Sequence, residues 1–355
     1  MNIFEPVDID SCFLGKRILI TGACGTIGSA LCGKLLGEGA IVCALDNDEN
    51  GLFNLKATCG VTEKSSPNLR LFFGDVRDYD RLLEACSGVD YVFHCAALKH
   101  VLICENNPIE ATSTNVDGVR NLIRATLKSN VDRVVFTSSD KAVNPSSTMG
   151  STKLLGERLI IAANSTVGKR PTRFSVVRFG NVLDSRGSVL EVFSRQLAAG
   201  VPFSITDVGM TRFILSTEDA SNLCLTACQR MKGGEIFVSN MGVASVLDLA
   251  KAVARTTAPN FVEIGTKPGE KLYEELSTIG EASRSYQVDV GIVIVPEILS
   301  NLPEENIEYF KKIRATCMLH HKPVRSDKCK LLTLEQLTDF VASQRQSHND
   351  YTAKL

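Results

Sequence analysis

The chain has 355 residues, 44% hydrophobic and 22% charged, enough to bury a large core as one or two domains. A formal net charge of -1 argues against the broad basic surface that nucleic-acid backbones require, and leaves room for a small anionic ligand held by local positive charge. The 12 cysteines are scattered through apolar stretches, as at Cys43, Cys95 and Cys224, without paired metal-type spacing, so they are expected to be reduced and buried.

The first residues lack a basic start followed by an apolar run, and no uninterrupted apolar stretch is long enough to span a bilayer. A cytoplasmic protein with no membrane insertion is expected. From Arg17 onward, strand-like runs alternate with helical patterns: RILIT then 27–36, AIVCALD then 52–58, LRLFFGD then 79–86, DYVFHCA then 115–127, RVVFTSS then 149–163, and TRFSVVRF. Strands that are β-branched and apolar throughout, alternating with helices, predict an α/β fold with a doubly wound parallel sheet covered on both faces. After Gly180 the rhythm breaks. EIFVSN (235–240) is expected to return at the sheet edge, and VEIGTKPGEKLYEEL (262–276) to help form a smaller lobe over the carboxyl ends of the strands, where such sheets bind ligands. Residues 11–180 with 213–252 are thus assigned to a dinucleotide-binding domain and 181–212 with 253–335 to a substrate lobe. The polar last residues, 336–355, are assigned to a flexible tail.

Between the first strand and its helix the chain reads Thr21-Gly22-Ala23-Cys24-Gly25-Thr26-Ile27-Gly28. Glycines three apart allow a tight turn and close backbone approach, so that a pyrophosphate can rest on the amides of the helix N-terminus. Asp46 ends the second strand, where a carboxylate accepts from the adenosine ribose hydroxyls and repels a 2′-phosphate, which favours NAD over NADP. The competing reading makes Asp46 a cap or turn residue within DNDEN. Asp75, ending the third strand, and Cys95, Ala96 and Ala97, ending the fourth, fall where the adenine and the nicotinamide-side ribose lie.

The fifth strand delivers Thr137-Ser138-Ser139-Asp140-Lys141 to the same sheet edge, and the following helix carries Lys153 one turn in. Two lysines, an aspartate and a serine then converge beside the nicotinamide, the edge of this fold where reacting groups collect. An exposed Asp140–Lys141 pair of little energetic consequence is the alternative.

With these segments in view, the sequence resembles the extended short-chain dehydrogenases/reductases. It is most similar to the UDP-N-acetylglucosamine 4,6-dehydratases of bacterial flagellin, capsule and surface-glycan pathways. The resemblance rests on GACGTIGS, HCAALKHVLICENNP, TSSDKAVNP, MGSTK, VRFGNVLDSRGSV, ITDVGMTRF, GGEIF and KPGEKLYEEL, spanning roughly Gly15 to Leu276. It implies an extended Rossmann fold, NAD as cofactor, a UDP-sugar substrate and a homo-oligomer. One position departs from the wider family: Met149 stands where most members have the tyrosine that transfers a proton. A branch of these dehydratases also carries methionine there.

In that branch the aspartate and lysine after the fifth strand handle the protons. The resemblance therefore implies Lys141 as the base at sugar carbon 5, Asp140 as the acid for the departing carbon 6 hydroxyl, and Ser139 as a hydrogen-bond partner of the carbon 4 oxygen. Lys153 is implied to hold the nicotinamide ribose. The roles require Lys141 to shed its proton more readily than a free lysine and Asp140 to retain one. Val76, Lys99 and Asn115 join the implied cofactor set. Lys99 also joins Asn181, Arg186, Ser188, Val189, Arg212, Lys267 and Glu270 in the implied nucleotide-sugar pocket, and any of these is open to being a structural partner instead. His94 is expected to be packed and His100 to lie near the pocket mouth; neither has the companions a metal site needs, so no metal is expected. The rival readings are a nucleotide-sugar 4-epimerase or reductase, both of which normally need the tyrosine, and a non-catalytic NAD-binding protein.

Overall fold

The computed structural model describes residues 12–59, 68–185, 187–289, 291–299 and 302–352. Strands β1 (Arg17–Thr21), β2 (Ile41–Asp46), β3 (Leu69–Phe73), β4 (Tyr91–His94), β5 (Arg133–Ser139) and β6 (Arg173–Phe179) form where the apolar runs predict them. They pair in parallel in the order β6-β5-β4-β1-β2-β3. Parallel pairing forces a crossover after each strand, so the helices cover both faces. Leu31, Leu35, Leu223 and Cys224, from helices Thr26–Gly37 and Thr217–Arg230, pack with Ile18 and Ile20 on one side. Leu82, Val119, Leu122 and Ile160 pack with Leu19, Val134 and Phe136 on the other.

The sheet extends further than the sequence predicts. Strand β10 (Ile236–Ser239) pairs in parallel with β6, but it is interior, not the expected edge. Strands β13 (Ser285–Val288) and β14 (Gly291–Ile294) continue the sheet beyond it in antiparallel sense, and Phe310 and Ile313 of helix Glu304–Thr316 join the same core. Strands β13 and β14 and helix Glu304–Thr316, which the sequence reading places in the substrate lobe, therefore pack with the nine-stranded sheet.

The smaller lobe holds β7 (Asn181–Val182), β9 (Thr211–Leu215) and β11 (Gly242–Ser245) in one sheet, and β8 (Phe203–Ile205) with β12 (Phe261–Glu263) in another. Its core gathers Phe193, Phe203, Ile205, Leu249 and Val253. The same core takes in Leu337 and Val341 of helix Leu334–Thr352, so the expected flexible tail is helical in its described part and docked at its start. Burying two such side chains contributes about 1.5–3 kcal/mol each, which is why the helix stays on the lobe.

A fully buried Arg178 on β6 joins three parts of the molecule. Its guanidinium donates to Glu157 on helix Thr148–Ala163 at 2.6 Å, to Glu281 at 3.1 Å and to the Leu276 carbonyl at 2.8 Å. Among the described residues all cysteines are free, none of the helices is long and apolar enough to cross a membrane, and no metal-ligating cluster occurs.

Candidate active site

Two adjoining cavities open along the carboxyl ends of β1, β2, β4, β5 and β6. One, of about 340 Å³, is lined by Gly22, Asp46, Asp75, Val76, Ala96 and Ala97 among others. The second, of about 520 Å³, is lined by Gly25, Thr26, Ile27, Gly28, Lys99, Ser139, Lys141, Met149, Lys153, Asn181 and Ser188 among others. Gly22 and Cys95 border both, so together they form a continuous cleft across the strand ends. Gly22 has φ of 67°, and a Cβ there would lie 2.6 Å from the Ala96 amide nitrogen. A Cβ on Gly28 would collide with the Gly22 carbonyl. No side-chain cap hydrogen bond is made at Gly25, the N-cap of helix Thr26–Gly37, a helix start of the kind that suits an anionic ligand.

At the first cavity Asp46 accepts from the Cys24 amide at 2.8 Å and the Asp48 amide at 3.0 Å, while Asp48, not Asp46, caps the next helix. Asp75 is held by the Arg77 guanidinium at 2.7 Å and by Asn47, and the Arg77 contacts keep its carboxyl below the usual range. Asn115 lies in the π-helical turn Ser113–Asp117 but lines neither cavity. Its amide accepts from Leu98 N–H at 2.8 Å and donates to the Leu98 carbonyl at 3.0 Å and to Thr152 at 3.0 Å, so it fixes the loop carrying Ala97 and Lys99 from behind.

Strand β5 ends in an extended Ser139, whose hydroxyl caps the short 3-10 turn Asp140–Ala142. The turn folds Asp140 inward, fully buried, and leaves Lys141 at the cavity with 26% of its side chain exposed. Ser139 Oγ donates to Asp140 Oδ1 at 2.8 Å, and Lys141 Nζ donates to the same oxygen at 3.0 Å; Asp140 Oδ2 is buried without a hydrogen-bond partner among the described residues. Burial alone would lower the proton affinity of Lys141, but the carboxylates of Asp140 and Glu274 outweigh it, so its pKa is raised. This overturns the expectation that Lys141 sheds its proton more readily than a free lysine. Lys153 behaves oppositely: burial outweighs the opposing influence of Cys95 and the Glu157 carboxylate and pulls it down to about 8. Its ammonium donates to the Thr137 carbonyl at 2.6 Å and lies 4.4 Å over the Phe136 ring. Met149 packs with Cys104 and Ala111 at the cavity wall. Gly150 lets this helix approach, since a Cβ there would collide with the Lys141 carbonyl.

The expected substrate residues divide. Lys99, Asn181 and Ser188 line the larger cavity, Asn181 Oδ1 accepting from Lys141 at 3.4 Å and Ser188 capping helix Val189–Ala198. Val189 packs against the small-lobe core. Arg212 is occupied by the carbonyls of Thr211 and Lys271, both at 2.8 Å, which ties β9 to residues 271–272, and neither it nor Lys267 nor Glu270 lines either cavity. Arg186 lies outside the described residues. His100 borders the larger cavity as expected. His94 is packed: it shares a 2.7 Å hydrogen bond with Thr21, stacks on Phe136 at 5.8 Å, and burial lowers its pKa to about 3.

Sequence reasoning missed Glu274. In an extended segment, alternate residues face the same way, and Glu274 and Leu276 both turn inward while Tyr273 and Glu275 are half-exposed. Glu274 Oε1 lies 3.5 Å from Lys141 Nζ and 4.0 Å from the Arg212 guanidinium. The period-two pattern was available in the sequence, but in a charged run it reads as a solvated strand.

A family model described as polysaccharide biosynthesis protein matches residues 18–296. The chain is 44% identical over 315 residues to a Methanocaldococcus jannaschii protein named only as an uncharacterized membrane protein, covering 86% of this chain and 93% of that one. It is 38% identical over 289 residues to the Campylobacter jejuni UDP-N-acetylglucosamine 4,6-dehydratase (inverting), covering 81% and 84%. It is 39% identical over 271 residues to a UDP-glucose 4-epimerase of Rickettsia canadensis, covering 74% and 78%. Among solved structures, Pen from Bacillus thuringiensis superposes with a TM-score of 0.85 at 35% identity, covering 94% of this chain and 99% of that one. MoeE5, in complex with UDP-glucuronic acid and NAD, gives 0.61 at 26% identity, covering 72% and 87%. With a glycine turn and a cleft along the strand ends, the chain belongs to the polysaccharide biosynthesis protein family, built on the extended short-chain dehydrogenase/reductase fold.

Proposed function

We propose that the chain is an NAD-dependent nucleotide-sugar 4,6-dehydratase that converts UDP-N-acetylglucosamine to a UDP-4-keto-6-deoxy-N-acetylhexosamine. The observation that carries this reading is the Asp140–Lys141 pair, with Asp140 buried and Lys141 facing a cavity whose wall holds Met149 in place of a tyrosine. The name of the Campylobacter relative supports the reaction, and NAD in MoeE5 supports the cofactor.

The residues present fit the dinucleotide. Gly22 and Gly28 leave the backbone bare, the uncapped helix N-terminus suits a pyrophosphate, and Asp46 suits an adenosine ribose lacking a 2′-phosphate. A bound nicotinamide would supply reversible hydride transfer, out of sugar carbon 4 and back to carbon 6, so that no cofactor would be consumed. Lys153, which lines the larger cavity, would turn its ammonium to the nicotinamide-side ribose.

The protein's part is proton handling. At rest Lys141 is an ammonium paired with Asp140 at 3.0 Å. When substrate displaces water from the cavity, separated charges become costlier, which favours transfer of one proton from Lys141 to Asp140. The transfer leaves a neutral amine and a carboxylic acid side by side. The amine takes the carbon 5 proton, which the new carbon 4 ketone has acidified, and Asp140 protonates the departing carbon 6 hydroxyl, which leaves as water. Ser139 orients the carbon 4 oxygen, whose proton leaves to a water at the cavity mouth. Lys141 returns a proton to carbon 5 and regains one from solvent. Lys99, Asn181 and Ser188, on the same cavity, are placed to meet the sugar and its diphosphate.

Lys141→Ala and Asp140→Asn are expected to keep NAD binding while the rate of water loss from UDP-N-acetylglucosamine falls by roughly 10² to 10⁴, the contribution of positioned acid–base groups. Mass spectrometry of the sugar nucleotide reads the loss of water, and fluorescence titration reads cofactor binding. Near-normal turnover in both variants removes the pair from the chemistry. A 4-epimerase is the second reading, favoured by the name of the Rickettsia relative. It predicts interconversion at carbon 4 with no change in mass.

A further inference from the structure

Three oxygens surround the Lys141 ammonium: Asp140 Oδ1 at 3.0 Å, Asn181 Oδ1 at 3.4 Å and Glu274 Oε1 at 3.5 Å. Asp140 comes from the catalytic turn itself. Asn181 comes from β7 and Glu274 from the segment 271–276, both on the small lobe's side of the cavity.

That segment is rigidly seated. The Glu274 amide donates to Ser326 Oγ at 3.0 Å, the Ser326 amide donates back to the Glu274 carbonyl at 2.9 Å, and Ser326 shares a 2.8 Å hydrogen bond with Thr211. On its other side it grips the loop after the catalytic turn. Lys271 Nζ donates to the Val143 carbonyl at 2.7 Å and Asn144 donates to Glu275 at 3.0 Å. Glu274 is 2% exposed, and its second oxygen is buried without a hydrogen-bond partner among the described residues. A carboxylate so placed is costly unless it answers a charge, and the charges facing it are Lys141, Arg212 and Lys271, with Asp140 opposing. Arg212 is held chiefly by backbone carbonyls and Lys271 by Val143. Lys141 is the cation whose position Glu274 can set.

We propose that Glu274 is a positioning residue for the reaction, holding the Lys141 amine at the cavity and setting its proton affinity from the side opposite Asp140. The proposal rests on the reading of Lys141 as the proton-handling amine. It makes the small lobe a participant in the chemistry, since docking of residues 271–276 completes the cage around the amine. Burial and Asp140 raise the proton affinity of Glu274 itself, and Lys141, Arg212 and Lys271 oppose that, so the carboxyl responds to the amine it holds.

The test is Glu274→Gln, which keeps shape and removes charge. Removing a facing carboxylate lowers the pKa of an ammonium, so Lys141 then loses its proton at lower pH. Competitive acetylation with acetic anhydride across pH, read at the Lys141 peptide by mass spectrometry, reports that proton without requiring turnover. The labelling curve is expected to move down by roughly one to three pH units, the size of shift an adjacent opposite charge produces. With UDP-N-acetylglucosamine, kcat is expected to fall roughly ten- to hundredfold while KM stays within a few fold, because Glu274 does not line the cavity. Glu274→Asp keeps the charge and withdraws it, so its labelling curve is expected to stay near wild type while kcat falls. Should the glutamine variant not fold, wild-type kcat in the aspartate variant overturns the proposal. An unmoved labelling curve in a folded glutamine variant overturns it too. Absence of dehydrated product from the wild-type protein sinks the dehydratase reading instead, and the labelling curves still decide the role of Glu274.

Discussion

Lys153 and Lys141 show how one residue type is tuned in two directions a few ångströms from the same cavity. Lys141 faces carboxylates and keeps its proton; Lys153 faces a ring and a carbonyl, and burial lowers it from 10.5 to about 8. Because its folded pKa is depressed, the charged form costs stability below about pH 8, and that cost fades as pH rises from 8 towards 10.5. Cofactor binding runs the other way, since only the ammonium donates strongly to a ribose. NAD affinity is expected to weaken by about tenfold as pH rises through about 8, and Lys153→Met to bind weakly with no such dependence. Isothermal titration between pH 6.5 and 9.5 checks this; an affinity flat across that range in the wild-type protein contradicts it. At this scale the sequence was informative where a residue type is rare for its place. Asp140 and Lys141 at the end of an apolar strand stand out, whereas Glu274 in a charged run does not, and only the fold brings it to within 3.5 Å of the amine.

The glycine turn between β1 and helix Thr26–Gly37 was legible as an element because its requirement is local. Gly22 needs a left-handed φ of 67° and passes within contact of the backbone at Ala96. Gly22→Ala therefore combines an unfavourable dihedral, about 1–2 kcal/mol, with a backbone clash that forces β1 and β4 apart. Weaker NAD binding by at least tenfold and a lowered melting temperature are expected, read by fluorescence titration and thermal unfolding. Unchanged binding would show that the cofactor does not lie on this turn. The antiparallel strands β13 and β14 were not legible as part of the sheet, because the pairing of β14 with β10 spans intervening elements and no local signal marks it. Helix Leu334–Thr352 was missed for another reason. Leu334, Leu337 and Val341 recur at helical spacing, but the polar residues after them dominate the composition.

Across the whole molecule, the alternation of strands and helices dictated the doubly wound sheet, and that sheet dictated where ligands can gather. Ligand cavities follow from topology: the cleft runs along the strand ends, with the glycine turn at its centre and the turn carrying Lys141 at one wall. The second lobe was harder to delimit, since Arg212, expected in the nucleotide-sugar pocket or as a structural partner, fastens residues 271–272 to β9. The buried Arg178 with Glu157 and Glu281 fastens β6 to helix Thr148–Ala163 and to the chain beyond Leu276, keeping the amine's two neighbours on one frame. The central claim, that this frame removes and returns a proton at sugar carbon 5 while water leaves from carbon 6, is tested most directly by a proton NMR time course in deuterated water with UDP-N-acetylglucosamine. The account predicts a new carbon 6 methyl signal, deuterium at carbon 5 and no net consumption of cofactor. A spectrum showing only the carbon 4 epimer, or unchanged substrate beside bound NAD, would contradict it.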